Sequence, residues 1–444
     1  MLNTINNNLF YLETYGCQMN ISDSEIIISI LLKQGFYLTY NIEKANIILL
    51  NTCAIRENAK MTILNRLQYL KSLYQHKKKI FGIIGCLSKI DNEFFSKKLV
   101  NFSINPNSYK EIPKIINYIK QGKKIEFHKN NKIETYENIY PFRQQYKVTA
   151  FLSIIRGCNN MCTFCIVPFT RGREISISPY SIINECKKLY NNGYKEITLL
   201  GQNVDSYSWK ETNKKNNLNF AKLLNMLAIQ LPFMRIRFTT SNPHDFSDEV
   251  INIISKYSNI CKHIHLPVQS GSNKMLKLMN RKYTRESYIY LIKKIKNTIP
   301  ECSISHDIMT GFCNENEEDH KYTISLMNEI KYHYGYMFIY SPRPGTYAYR
   351  QLSDNVPYKT KQKRLQEIIN LQKEHSYFNM KQYIGQIQEV LIEGRSKKND
   401  LYWYGKNTQN ITVVFPKKNY KIGNFVNVKI LDFTSVTLIG NIIN

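Results

Sequence analysis

Three cysteines within ten residues, in the segment Arg156-Gly157-Cys158-Asn159-Asn160-Met161-Cys162-Thr163-Phe164-Cys165, restrict this chain more than any other feature. Three residues separate the first pair and two the second, so one short loop gathers three thiolates. Three soft sulfur ligands suit an iron–sulfur cluster, which takes four, and they leave one iron open to a substrate or cofactor. Zinc sites usually set their thiolates in two separated pairs, so zinc or purely structural thiols are the competing readings.

The chain around this loop has 444 residues, enough for two or three domains with buried cores, and a hydrophobic fraction of 43%, ordinary for a globular protein. No apolar run approaches the roughly 18 residues of a membrane helix, which excludes an integral helical membrane protein. The start, Met1-Leu2-Asn3-Thr4-Ile5-Asn6, has neither the basic residues nor the apolar stretch of a leader peptide, and the chain reads as cytosolic. In a reducing compartment the ten cysteines point to metal ligation or burial rather than disulfides. A net charge of +27 favours an anionic partner such as nucleic acid. The abundance of Lys, Asn, Ile and Tyr throughout explains the same charge by biased genome composition.

The order of predicted elements gives an α/β protein in three parts. Residues 8–124 alternate strands and helices, with strands over Phe10–Tyr15, Ala45–Asn51 and Lys79–Gly85, as in a parallel sheet buried on both faces. Cys17, Cys53 and Cys86 each fall just after one of these strands, on the edge where α/β sheets bind ligands. A lone free cysteine is commonly a buried small hydrophobe; three at equivalent strand ends form a candidate three-thiolate site. Residues 125–146 are polar and aperiodic and read as a linker. Residues 147–380 repeat strand, loop and helix six times, an incomplete (β/α)6 barrel with chemistry expected at its C-terminal strand ends. The three-cysteine loop comes directly after the first of these strands. Residues 381–444 alternate as half-buried strands and fit a small β-barrel of the kind that binds oligonucleotides.

The loop and its continuation, Ile166-Val167-Pro168-Phe169-Thr170-Arg171-Gly172-Arg173-Glu174, resemble the methylthiotransferases among the radical S-adenosylmethionine enzymes. Glu13-Thr14-Tyr15-Gly16-Cys17-Gln18-Met19-Asn20 and Asn51-Thr52-Cys53-Ala54-Ile55-Arg56-Glu57-Asn58-Ala59 resemble the same family, the second more its branch acting on isopentenyladenosine in tRNA. The resemblance runs from about Asn8 to Ile442 and implies two 4Fe–4S clusters, one on Cys158, Cys162 and Cys165 and one on Cys17, Cys53 and Cys86. It implies that an electron passed through the first cluster breaks a carbon–sulfur bond of S-adenosylmethionine and releases a 5′-deoxyadenosyl radical. The second cluster would carry or activate the sulfur, and the product would be 2-methylthio-N6-isopentenyladenosine. Implied partners are a tRNA substrate, a reducing electron-donor protein and a sulfur donor, with no membrane.

Gly201, Gln202 and Asn203, in a segment similar to the family's, are candidates to hold S-adenosylmethionine, with helix capping by Asn203 or Asp205 as the alternative. Arg343, in the family-like Ser341-Pro342-Arg343-Pro344-Gly345-Thr346, could face a phosphate or the cofactor carboxylate, or merely sit in a closing turn. The terminal region resembles the TRAM domain, with Lys397, Lys398, Tyr402, Trp403, Tyr404 and Lys406 as candidates for RNA contact or, for Trp403 equally, core. Three positions depart from the family pattern: Ile177 stands where arginine is usual, Cys313 interrupts a usual Gly-Phe-Pro-Gly-Glu turn, and Lys406-Asn407-Thr408 lacks an arginine. Cys186, Cys261, Cys302 and the strand histidines His263 and His265 read as structural. Rival readings keep the chemistry but act on threonylcarbamoyladenosine in tRNA or on a ribosomal-protein aspartate. A third is a non-catalytic iron–sulfur protein that binds RNA.

Overall fold

The computed structural model describes residues 8–53, 57–89, 99–123, 134–143, 147–211 and 217–443, the side chains of 57–59 and 89 excepted. The chain divides into two compact units, one of Met1–Gln145 with Ile155–Asn160 and Cys165–Ile177, the other of Tyr146–Ile154, Met161–Phe164 and Ser178–Asn444.

The first unit is a parallel sheet of β1 (Leu9–Thr14), β2 (Tyr37–Leu38), β3 (Ile47–Thr52), β4 (Ile80–Gly85) and β5 (Phe102–Ile104), in the order β2-β1-β3-β4-β5. Central β3 explains why the sheet must be covered twice. Ile47 and Leu49 pack into one apolar cluster with Phe10, Ile27 and Ile116, while Ile48 and Leu50 pack into another with Ile63, Leu67 and Phe81. Alternate side chains of a strand point to opposite faces, so an unbroken apolar run is what a doubly covered strand requires. The helix Gln18–Lys33 supplies Ile26, Ile27, Ile30 and Leu31 to the first cluster. Within the stretch that reads as a linker, Tyr136 is buried in this same cluster, stacked on Tyr109 at 5.6 Å between ring centroids, and its hydroxyl donates to the Pro106 carbonyl at 2.8 Å. Residues 125–133 and 144–146 of that stretch lie outside the described residues.

The second unit carries six parallel strands in chain order: β6 (Thr149–Ser153), β7 (Glu196–Leu200), β8 (Arg235–Thr239), β9 (His263–His265), β10 (Ser303–Thr310) and β11 (Tyr334–Ile339). Pairing runs β6-β7-β8 and β9-β10-β11, and a parallel bridge between Ile236 and Ile260 links the two triplets. Helices Pro179–Asn191, Phe220–Gln230, Asp248–Lys256, Arg285–Thr298 and Glu317–Ile330 intervene. Several begin at side-chain caps, Ser247, Thr284 and Asn316 among them, each accepting a backbone N–H of the first turn.

After the helix Tyr358–Lys381, five strands (Ile387–Arg395, Tyr402–Lys406, Thr412–Pro416, Phe425–Phe433 and Thr437–Ile442) close into a barrel. Trp403 belongs to its core, with Val390, Val413, Phe415, Val428 and Leu438, and the Lys417 ammonium lies 4.7 Å above its ring. This barrel is seated on the starting ends of the parallel strands. Arg235, first in β8, donates to the Lys406 carbonyl at 2.9 Å and pairs with Glu389 at 2.7 Å. Arg237 donates to the Thr408 carbonyl at 3.1 Å and pairs with Glu196, first in β7, at 2.8 Å. The Ser303 hydroxyl, opening β10, donates to the Gln409 carbonyl at 2.7 Å. Asn410 donates to the Tyr334 hydroxyl, opening β11, at 2.9 Å. The Lys406-Asn407-Thr408 word therefore offers its carbonyls to the parallel sheet. No helix among the described residues is long and apolar enough to cross a membrane.

Candidate functional site

β1, β3 and β4 are neighbours in one sheet, and Cys17, Cys53 and Cys86 come at their C-terminal ends, Cys53 and Cys86 directly and Cys17 after a two-residue turn. Adjacent strands lie about 4.8 Å apart, so the topology brings three residues distant in sequence to one edge. Two glycines make the approach possible. At Gly16 (φ +118°) a Cβ would lie 2.3 Å from the Cys53 Cβ, and at Gly85 (φ +95°) it would lie 2.5 Å from the Thr52 carbonyl oxygen. Cys17 is exposed, whereas Cys53 and Cys86 are buried. The Cys17 thiol is pushed down to about 6, chiefly by its hydrogen bond with Cys53 and against the effect of burial, with further help from the Arg171 guanidinium. Burial raises Cys86, and Arg171 opposes that rise.

Arg171 belongs to a charge network that sequence reading did not assign to the site. Asp23, on the helix behind Cys17, is fully buried, and Arg156 and Arg171 are only 1% and 3% exposed. Asp23 Oδ1 accepts from Arg156 Nη1 at 2.8 Å, and Asp23 Oδ2 accepts from Arg171 Nη2 at 2.9 Å. Burial penalises the carboxylate, but the two guanidinium groups overcome that and hold its pKa below the usual range. Arg171 Nη2 also donates to Asn20 Oδ1 at 3.2 Å, the same oxygen that the Cys17 thiol approaches at 3.5 Å. Arg156 precedes Gly157-Cys158 and Arg171 comes six residues after Cys165, so one carboxylate holds residues on both sides of the three-cysteine loop. The only sequence signal was the oddity of charged residues inside otherwise apolar or family-like words.

The loop itself is pinned by backbone and side-chain bonds. Cys158 N–H donates to the Gly172 carbonyl at 3.1 Å. In the second unit, the Thr163 hydroxyl donates to the Leu278 carbonyl at 2.8 Å and Asn280 Nδ2 donates to the Met161 carbonyl at 3.0 Å. Arg281 Nη1 lies 3.3 Å from the Cys162 sulfur, its guanidinium fixed by the Tyr283 hydroxyl and the Pro267 carbonyl, each at 2.9 Å. Cys158, Cys162 and Cys165 are all partly accessible and free of disulfides. Among the described residues no three His, Cys, Asp or Glu side chains converge tightly enough for a single metal ion. A cluster asks for something different, since each cysteine binds its own iron and the thiolates stand farther apart than ligands of one ion.

Gly201, Gln202 and Asn203 follow β7 at its C-terminal end. Asn203 donates to Asp245 Oδ2 at 2.6 Å, while Gln202 Oε1 and Asn203 Oδ1 are buried without a hydrogen-bond donor among the described residues. Two orphaned acceptors fit a ligand bearing amino and hydroxyl groups, as S-adenosylmethionine does. Nearby Asp205 accepts from Asn242 N–H at 2.9 Å, and burial raises its pKa to about 8.

The remaining candidates separate cleanly. His263 and His265 both contact the Ser305 hydroxyl, at 3.0 and 2.9 Å, and burial lowers the His263 pKa well below its usual value. Burial raises Cys261 to about 11 and Cys302 to about 12, and Cys186 is buried as well. Cys313 sits in an apolar cluster with Phe312, Met275 and Tyr340. Ile177 is buried. The Arg343 carbonyl accepts from the Thr346 hydroxyl at 2.7 Å in a turn that caps the helix Tyr347–Gln351. Lys397 and Lys398 are exposed, and Tyr402 and Tyr404 are half-buried. Arg56 and the side chains of Glu57 and Asn58, the word nearest the isopentenyladenosine branch, lie outside the described residues.

Comparison with known proteins agrees with this layout. Residues 9–104 match "Uncharacterized protein family UPF0004", residues 152–327 the radical SAM superfamily, and residues 381–443 the TRAM domain. Membership of the radical SAM superfamily implies one 4Fe–4S cluster and S-adenosylmethionine. Among solved structures, the radical S-adenosylmethionine methyltransferase TsrM from Kitasatospora setae, with cobalamin and a 4Fe–4S cluster bound, aligns with a TM-score of 0.59 at 10% identity, covering 77% of each chain. That likeness is one of fold. Two curated relatives are each named tRNA-2-methylthio-N(6)-dimethylallyladenosine synthase. The one from Karelsulcia muelleri is 58% identical, covering 98% of both chains, and the one from Christiangramia forsetii is 50% identical, covering 98% of this chain and 94% of its own. The chain belongs to the tRNA-2-methylthio-N(6)-dimethylallyladenosine synthase family of radical SAM enzymes.

Proposed function

We propose that this chain is a cytoplasmic tRNA methylthiotransferase that converts N6-isopentenyladenosine beside the anticodon to its 2-methylthio derivative. In this reading residues 8–124 handle sulfur, 147–380 form the radical core and 381–444 hold RNA. Cys158, Cys162 and Cys165 bind the cluster that engages S-adenosylmethionine, with Gly201, Gln202 and Asn203 around the cofactor. Cys17, Cys53 and Cys86 bind a second cluster, and the observation that carries the reading is their convergence at three neighbouring strand ends. Inserting sulfur at an unactivated aromatic carbon needs both removal of a hydrogen and a sulfur source. When bound, the clusters and S-adenosylmethionine would supply the radical, the sulfur and the methyl group that sulfur carries; the chain's own groups hold, orient and shield them. Arg281 donates toward the Cys162 sulfur, and the orphaned amide oxygens of Gln202 and Asn203 accept from the cofactor's polar hydrogens. An external sulfur donor and a reducing protein complete the cycle.

The test is nucleoside mass spectrometry after incubating reconstituted enzyme with S-adenosylmethionine, sulfide, reductant and one of three tRNAs: isopentenylated, threonylcarbamoylated or unmodified. A methylthio mass gain on isopentenyladenosine alone is the expected result. Gain on threonylcarbamoyladenosine would reassign the substrate. Formation of 5′-deoxyadenosine with no gain on any tRNA would redirect the search to a protein aspartate.

A further inference from the structure

The buried network around Asp23 holds two guanidinium groups on one carboxylate. It therefore buries a surplus positive charge, which is costly unless an anion lies beside it. The groups facing Arg171 are Asp23, Tyr109, Cys86, Cys17 and the amide of Asn20. Tyr109 is neutral, because burial raises its pKa further, and its hydroxyl already donates to Asp23 at 3.2 Å. Asp23 is shared with Arg156, which leaves the cysteine edge as the place for the compensating charge. Arg171 lies close enough to the Cys86 thiol to lower its pKa through a hydrogen bond, and its buried Nη1 has no oxygen or nitrogen partner among the described residues. The helix Val167–Arg171 packs against the turn Cys86–Lys89, and Asn20 links Arg171 Nη2 to the Cys17 thiol. A cluster on three thiolates is a net anion, and a sulfur ligand on its open iron adds to the negative charge.

We propose that Arg171 is the positioning residue for the anionic sulfur ligand at the Cys17, Cys53 and Cys86 site, its Nη1 donating to that sulfur while Asp23 and Asn20 fix the guanidinium. This rests on the two-cluster reading above. The arginine is rigid, charged at every working pH and in place before sulfur arrives. It favours sulfide or a methylated thiolate over a neutral ligand at that iron, and it raises the cluster's potential by stabilising added negative charge.

The experiment uses the full chain carrying Cys158→Ala, Cys162→Ala and Cys165→Ala, reconstituted with iron and sulfide, so that only the second site can hold a cluster. Methanethiolate is titrated and followed by the electron paramagnetic resonance of the reduced cluster, and the midpoint potential is measured in parallel. We expect Arg171→Gln to bind methanethiolate at least tenfold more weakly. A tenfold loss of preference for the reduced state would lower the potential by about 59 mV. Arg171→Lys, which keeps the charge and loses the fork, falls between Gln and the parent. Unchanged affinity and potential in an Arg171→Gln protein of full iron content would overturn the proposal. Should that variant hold no iron, Arg171→Lys decides: affinity equal to the parent overturns the Nη1 assignment, and weaker affinity supports it. A parent that binds no iron overturns the two-cluster reading itself, and the proposal with it.

Discussion

The two candidate three-thiolate sites are assembled by opposite routes. Cys158, Cys162 and Cys165 lie on one loop, and local spacing does most of the work of assembling them. Cys17, Cys53 and Cys86 span some seventy residues and meet only because β1, β3 and β4 are adjacent and parallel. Each set has its arginine. Arg281 reaches Cys162 directly and is held by a tyrosine and a carbonyl, whereas Arg171 is held by a shared buried carboxylate and keeps one nitrogen without an oxygen or nitrogen partner among the described residues. A contiguous loop tolerates local support; a site assembled from separate strands needs its charge balance built into the core beneath it.

The largest expected effects separate the two sets outright. Cys162→Ala reduces 5′-deoxyadenosine formation to background in a dithionite-reduced anaerobic assay. Cys53→Ala leaves that formation intact and ends methylthiolation of tRNA; methylthiolated product from Cys53→Ala would collapse the distinction. Next comes the supporting charge. Asp23→Ala leaves two buried guanidinium groups without their carboxylate and costs about 3–5 kcal/mol, read as a fall in the urea midpoint of the full chain. A loss under 1 kcal/mol would mean that water already compensates the arginines.

Arg281→Met removes a charged donor from the Cys162 sulfur, an interaction worth about 1.5–3 kcal/mol. We expect a lower potential for the radical cluster and about ten- to a hundredfold less 5′-deoxyadenosine at fixed reductant. The smallest effect concerns pH. Asp205 titrates near 8 in the folded chain and near 4 unfolded, so the native state binds the extra proton between those values. Stability contributed by this group is then full below the unfolded value and falls as pH rises toward 8. Asp205→Asn raises the melting temperature of the apoprotein at pH 8 by a few degrees, about 1–2 kcal/mol, and the gain fades toward pH 4.

Much of this architecture is legible in the sequence because its signals are local. The strands expected over Phe10–Tyr15, Ala45–Asn51 and Lys79–Gly85 are found at Leu9–Thr14, Ile47–Thr52 and Ile80–Gly85, shifted by no more than two residues at either end. Placing cysteines after strands needed only those bounds. The Asp23 network was not legible, because its bonds join residues separated by 133 and 148 positions and no spacing rule links them. Trp403 could not be assigned from alternation alone, since core and stacking aromatics share the same period; the closed barrel places it inside. The carbonyls of Lys406 to Thr408 likewise gave no hint that they accept from β8.

The seating of the terminal barrel on the starting ends of the parallel strands has a mechanical consequence. Strands of five to eight residues, the three-residue β9 excepted, separate that end from the loops at their far ends, a thickness of roughly 17–26 Å. Arginine bonds and ion pairs fix the mount, so the barrel is docked on the strand ends and not a module on a tether. If residues 381–444 hold RNA as proposed, that RNA must bridge the whole thickness before a base reaches the opposite face. A free nucleoside gains nothing from it, whereas a long, stiff molecule that touches both faces gains effective concentration at the second contact. In the proposed function the fold would work as a caliper, selecting by reach before chemistry selects by base.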